Sequence, residues 1–130
     1  MPSSFILSSQ CSFTDTQRLL LEKRYKKSAR EYFETRVTQY ERVIPVRHKK
    51  IMIRDQKTRW GSCSSSGTLS FNWRLILAPA HIRDYVIVHE LCHFKNMNHS
   101  KAFSDDVESF YPDYKECRLW LKKHGDELKI

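Results

Sequence analysis

Apolar residues recur at helical spacing along the first third of the chain. Leu21, Tyr25, Ala29 with Ser28, Tyr32, Phe33, Val37 and Tyr40 fall three and four positions apart, which puts them on one helix face. The stretch TDTQ at 14–17 fits a capping box, with a hydroxyl at the N-cap and an amide side chain three residues on. The pattern therefore predicts a helix from there to about Arg42, closed before Pro45. Next, HKKIMIRD (48–55) reads as a strand with Ile51 and Ile53 on one face. TRWGSCSSSGTLSFNWRLIL (58–77) reads as a hairpin turning at Ser64-Ser65-Ser66-Gly67, where Leu69 and Phe71 alternate with polar neighbours. APAHIRDYVIVHELCHFKNM (78–97) then predicts a second helix, with Pro79 suited to its first turn. A third is expected from Ser100, a good N-cap, to about Phe110. A fourth follows Pro112 and ends at Lys122-Lys123-His124, with Gly125 as its stop. The expected organisation is an irregular stretch at 1–13 and one domain over 14–130.

Composition narrows this picture. A chain of 130 residues, 40% hydrophobic, suits one domain with one core. No apolar run reaches the roughly 18–20 residues that span a bilayer, and the N-terminus lacks the basic leader of a signal peptide. Cys11, Cys63, Cys92 and Cys117 are scattered without a CxxC pair. That pattern excludes a cysteine-rich zinc finger and a disulfide scaffold, and favours a reducing, cytoplasmic setting. The outer face of the first helix carries Arg18, Lys23, Arg24, Lys26, Lys27 and Arg30 against Glu22, within a formal charge of +8. Such a face can attract DNA or another polyanion, and a merely solvated face accounts for it equally.

The second helix carries the candidate chemistry. In YVIVHELCHFKNMNHSKAF (85–103), three of the chain's six histidines fall close together: His89, His93 and His99. Residues at i and i+4 lie one turn apart on one helix face, so His89 and His93 project side by side. Two imidazoles so placed can bind one cation at about 2.0–2.1 Å. Glu90 lies about 100° further round, within reach of a water beside the metal. HExxH thus supplies two ligands and a general base on one rigid element. An apolar run precedes it, and a buried helix does not carry histidine and glutamate idly.

A tetrahedral catalytic site takes a third protein ligand and keeps one open position. The acids Asp105, Asp106 and Glu108 of the next helix are candidates. The spacing favours His99, six residues after His93, as in HExxHxxGxxH enzymes. Those enzymes place glycine midway, where the helix ends in a left-handed conformation. Here the position is Asn96, the non-glycine type that best tolerates such angles.

The stretch RWGSCSSSGTLSFNWRLILAPAHIRDYVIVHELCHFKNMNHSKAF (59–103) resembles the YgjP-type zinc metallopeptidases, relatives of the SprT and Sprtn zincins. The likeness rests on WGSCS (60–64), on Asn72 with Leu75 and Ala78, on VIVHELCH (86–93), and on NHSxxF (98–103). It extends over about residues 31–125 and includes the tail YPDYKECRLWLKKHG. Ser104 stands where that family often has tryptophan. The resemblance implies an α+β, zincin-like minimal metalloprotease fold, a small mixed sheet packed on the HExxH helix with flanking helices. It implies one Zn²⁺ per chain held by His89, His93 and His99, with Glu90 as catalytic acid/base. It also implies an extended peptide or protein substrate paired along strand 68–72 as the edge beside the cleft.

In such a site Tyr111, Tyr114 or Arg59 could share the developing oxyanion, though each is more often a packing or surface residue. Two other readings keep the metal. One is a nucleotide phosphohydrolase, which no Gly-rich phosphate loop supports. The other is a zinc-stabilised nucleic-acid module without catalysis, which needs a fourth ligand, Cys63 or an acid of the third helix. The same geometry suits a latent enzyme with a thiolate in the water's position. As free thiols usually pack in cores, Cys63 and especially Cys92 read first as core residues, as do Trp60, Trp73 and Trp120.

Overall fold

Thr14 caps the first helix as the capping-box pattern predicts: its hydroxyl accepts from the Gln17 amide at 3.1 Å, and the Gln17 side chain accepts from the Thr14 amide at 3.0 Å. A computed structural model gives the fold over residues 14–56, 59–96 and 100–128. The expected irregular stretch at 1–13, Met97, Asn98 and His99 lie outside the described residues.

Helix α1 (Asp15–Tyr40) buries Ala29, Phe33 and Val37, with Tyr25, Tyr32 and Tyr40 partly covered beside them. Its lysines and arginines at 23, 24, 26, 27 and 30 face solvent. The sheet follows as β1 (Lys50–Arg54), β2 (Gly61–Cys63) and β3 (Thr68–Asn72). Gly67 makes the hairpin turn at φ +100°, a conformation that suits glycine, and its amide donates to the Ser64 carbonyl. The strand order is β1-β3-β2. β3 pairs parallel with β1, Ile51 opposite Leu69, and antiparallel with β2, Cys63 opposite Leu69. The sheet is therefore small and mixed, as expected.

The strand at 68–72 does not take the expected edge position: it is central, its backbone paired on both sides. It is not an edge open to a peptide. The edge strand on the HExxH helix side is β2, which the hairpin folds against that helix.

After β3 the chain does not stay extended but winds into a 3₁₀ segment, Trp73–Leu77, capped by the Asn72 side chain. The Asn72 amide also donates to the carbonyls of Gln56 (2.5 Å) and Arg59 (3.1 Å), which ties the approach to β2 onto β3. Helix α2 (Ala80–Lys95) starts one residue past Pro79, its N-cap. It is buried on several sides, with Ile82, Tyr85, Val86, Ile87, Val88, Leu91 and Cys92 in the core. The core continues through Phe33 stacked on Phe71 at 4.4 Å and Tyr25 stacked on Trp73 at 5.9 Å. Asp84, buried on α2, accepts from Tyr32 Oη (2.5 Å) and Arg36 (2.7 Å), so α1 and α2 are joined by a satisfied charge as well as by apolar contact.

Helix α3 (Lys101–Phe110) has Ser100 as its N-cap, and α4 (Tyr114–His124) follows. Gly125 is not a left-handed stop: it has φ −56° and continues into a 3₁₀ turn. Its glycine is required by proximity, because a Cβ there would lie 2.7 Å from Trp60 Cζ2. Among the described residues, no helix is long and apolar enough to cross a membrane.

Candidate metal centre

His89 and His93 do stand one turn apart on α2, with ring centroids 6.3 Å apart. Phe103, the first buried residue of α3, meets both rings edge-on, at 5.1 and 5.8 Å. Tyr85, one turn before His89, meets that ring at 5.9 Å. Each imidazole is thus walled by aromatic edges that hold its orientation.

Glu90 sits beside the pair on the sheet side. Its carboxylate is 6% exposed, with Oε2 at 3.2 Å from His89 Nδ1 and Oε1 at 3.8 Å from His93 Nδ1. A buried carboxylate ordinarily satisfies both oxygens. Oε1 has no hydrogen-bond partner among the described residues. Gly61 of β2 is the wall on the other side: a Cβ there would lie 3.1 Å from Glu90 Cγ and 3.2 Å from Oε2. The glycine of WGSC therefore makes room for the glutamate of HExxH.

Two residues further along β2, on the same face, is Cys63. Its Sγ lies 3.5 Å from His93 Nδ1. Cys63, Glu90 and His93 each present a ligand atom, all within 4.8 Å of one another. Burial, and after it the Glu90 charge, push the Cys63 thiol up to about 11. Cys63 is half-buried and packs against the edge of the core, as a thiol in the hairpin is expected to, whereas Cys92 is 0% and Cys117 2% exposed. Burial likewise pushes Cys92 up to about 12.

The polar groups fit a zinc-type ion: imidazole nitrogens, sulfur and a buried carboxylate oxygen without a hydrogen-bond partner among the described residues. The structure places His89, Glu90 and His93 beside one another, with Gly61 and Cys63 of β2 against them. Nothing in a helical spacing argument points at β2, since that contact is made across the hairpin. His99 lies outside the described residues. Of the acids weighed instead, Asp106 accepts from the Asn96 amide (2.7 Å) and pairs with Lys95 (3.3 Å), while Asp105 and Glu108 are exposed. Asn96 itself is extended, φ −125° and ψ 94°, not left-handed. The polar clasp to Asp106 holds this end of α2 against α3, so no left-handed residue is needed there. Tyr111 donates to the His81 carbonyl at 2.6 Å, a packing role. Tyr114 takes cations over its ring from Lys115 and Arg118 on its own helix.

The sequence pattern of the family described as YgjP-like, metallopeptidase domain, matches residues 7–124. Two solved structures share the fold. The metallopeptidase zymogen of Pyrococcus abyssi abylysin superposes with TM-score 0.61 at 23% identity, covering 69% of this chain and 93% of that one. The metallopeptidase zymogen of Methanocaldococcus jannaschii jannalysin does so with TM-score 0.61 at 22% identity, covering 70% and 94%. No curated protein sequence matches the chain.

Proposed function

This chain belongs to the YgjP-like family of metallopeptidases, and on that footing we propose that it hydrolyses peptide bonds with Glu90 as the proton carrier and His89, His93 and His99 as ligands to one Zn²⁺. The observation that carries this reading is the buried Glu90 carboxylate, set between two ring nitrogens with one oxygen unpartnered among the described residues. A zinc ion held there would supply Lewis acidity, which acidifies water and polarises a scissile carbonyl. Glu90 Oε1 is the atom placed to take a proton from the attacking water and to return it to the leaving amine. Oε2 stays on His89, so the carboxylate keeps its orientation while Oε1 changes protonation. Gly61 keeps β2 close enough to exclude bulk water from that side. β2, an edge strand of the sheet beside the cleft, is where an extended peptide would pair.

The test is hydrolysis of a fluorescein-labelled denatured protein, with nucleoside triphosphates assayed in parallel. Glu90→Gln is expected to retain zinc and to lose at least ~100-fold in rate. Wild-type turnover of the triphosphates alone, abolished by the same variant, would replace the peptidase reading with a phosphohydrolase. Zinc analysis of His99→Ala checks the third ligand: stoichiometric retention would remove His99 from the set.

A further inference from the structure

Cys63 has a place in this site that the peptidase reading does not use. We propose that Cys63 Sγ is itself a protein ligand to the metal in the resting enzyme, so that the shell is closed until sulfur withdraws. The inference rests on the metallopeptidase reading and adds regulation to it.

The first support is distance. Bonds of about 2.3 Å to sulfur and 2.0–2.1 Å to nitrogen, at a tetrahedral angle, set the two ligand atoms about 3.6 Å apart. The observed separation of Cys63 Sγ from His93 Nδ1 is 3.5 Å. A thiol–imidazole hydrogen bond has a similar length, so a second observation is needed. Glu90 provides it. Its side chain is 94% buried, given 6% exposure, and belongs to the same 4.8 Å group as the sulfur and the imidazole. Its Oε1 has no hydrogen-bond partner among the described residues. A sulfur, an imidazole nitrogen and a buried carboxylate oxygen, all within 4.8 Å of one another, are a donor set that suits one ion.

The backbone holds the thiol there. Cys63 pairs with Leu69 on the central strand, and the next amide, Ser64, donates to the Thr68 carbonyl at 2.9 Å. Withdrawal of sulfur is therefore a side-chain rotation, not a strand movement. On metal uptake the S–H bond breaks, a metal–sulfur bond forms and the proton passes to solvent. Release reverses each change, and no electrons are transferred. A shell closed nine-tenths of the time lowers the apparent rate about tenfold.

The test uses the full chain, stripped with a chelator and loaded with one equivalent of cobalt(II). Wild type is expected to show the intense near-ultraviolet thiolate-to-cobalt absorption. Cys63→Ser is expected to lose it, and Cys11→Ser to keep it. Iodoacetamide labelling read by mass mapping should modify Cys63 at least ~10-fold more slowly in the zinc-loaded than in the stripped protein, as expected when access follows the open fraction. Cys63→Ala should cleave the denatured substrate about tenfold faster at equal zinc content. Cobalt bound without the absorption band would remove Cys63 from the shell and leave the peptidase intact. The band with no gain in rate for Cys63→Ala would overturn the closure. Failure of wild type to bind cobalt at all would remove the metal site beneath both.

Discussion

Substituting Gly61→Ala tests the coupling between β2 and the HExxH helix. The added methyl would stand 3.1 Å from Glu90 Cγ and 3.2 Å from Glu90 Oε2 and the Ser70 carbonyl. Carbon pairs reach their optimum at about 3.5–4.0 Å, so the misfit is about 0.4 Å. The Ser70 carbonyl belongs to the central strand, paired on both sides, and cannot move without shifting the sheet. The Glu90 side chain is the softer neighbour and gives way. Overpacking of this kind costs about 1–3 kcal/mol. The stiffer unfolded chain offsets about 0.4–1 kcal/mol of that. The net loss is on the order of 1 kcal/mol, a fall of about 4 °C in Tm for a domain of this size. The rate effect is larger, because a displacement of about 1 Å at a reacting group costs about 100-fold. A shift of a few tenths of an ångström in Glu90 should then lower kcat about tenfold with zinc content unchanged. Turnover of the labelled denatured protein, calorimetric Tm and zinc analysis of one preparation measure all three. Wild-type kcat with an unchanged Tm would show that the methyl fits, and the argued crowding of Glu90 would be wrong.

Gly125→Ala places a methyl 2.7 Å from Trp60 Cζ2 and should destabilise the fold by about 1–3 kcal/mol, read as a lower urea midpoint. Asn96→Ala removes the hydrogen bond to Asp106 and should cost about 1 kcal/mol, with hydrogen exchange quickening at the end of α2 and the start of α3. Burial first, together with Asp84 at Tyr32, pushes Tyr32 and Tyr85 up to about 12, against about 10 in the unfolded chain. The folded state then binds these protons more tightly, so stability is whole below pH ~10 and falls as pH rises towards ~12. A thermal midpoint that held steady across that window would contradict it.

The helices were legible because their signals are local. The capping box at 14–17, the Ser100 cap and the three-and-four spacing of α1 each act within a few residues, and each is present in the structure. The side-by-side placement of His89 and His93 followed from helix geometry alone. The rest depended on pairing across distance. No alternation in TLSFN distinguishes a central from an edge strand; that is decided by β1 arriving parallel on one side. Four of its five residues are buried, which is what cover on both faces produces. Asn96 was read from a spacing borrowed from glycine-bearing enzymes, and the side-chain clasp to Asp106, ten residues on, replaced the backbone device. Gly61 and Cys63 entered the site because the hairpin sets odd-numbered residues of β2 toward α2, a register no local pattern fixes.

The two flanks of the sheet bear on self-association. On β1 the Ile51 carbonyl already accepts from Arg30 of α1, at 3.3 Å, and the helix lies along that strand. On the opposite flank β2 is three residues long. Fibrous stacking of copies needs a long, flat, unguarded ladder, and this sheet has none among the described residues. Along β2 a guest strand has three residues to pair with before the chain turns away, a short rung for any added ladder.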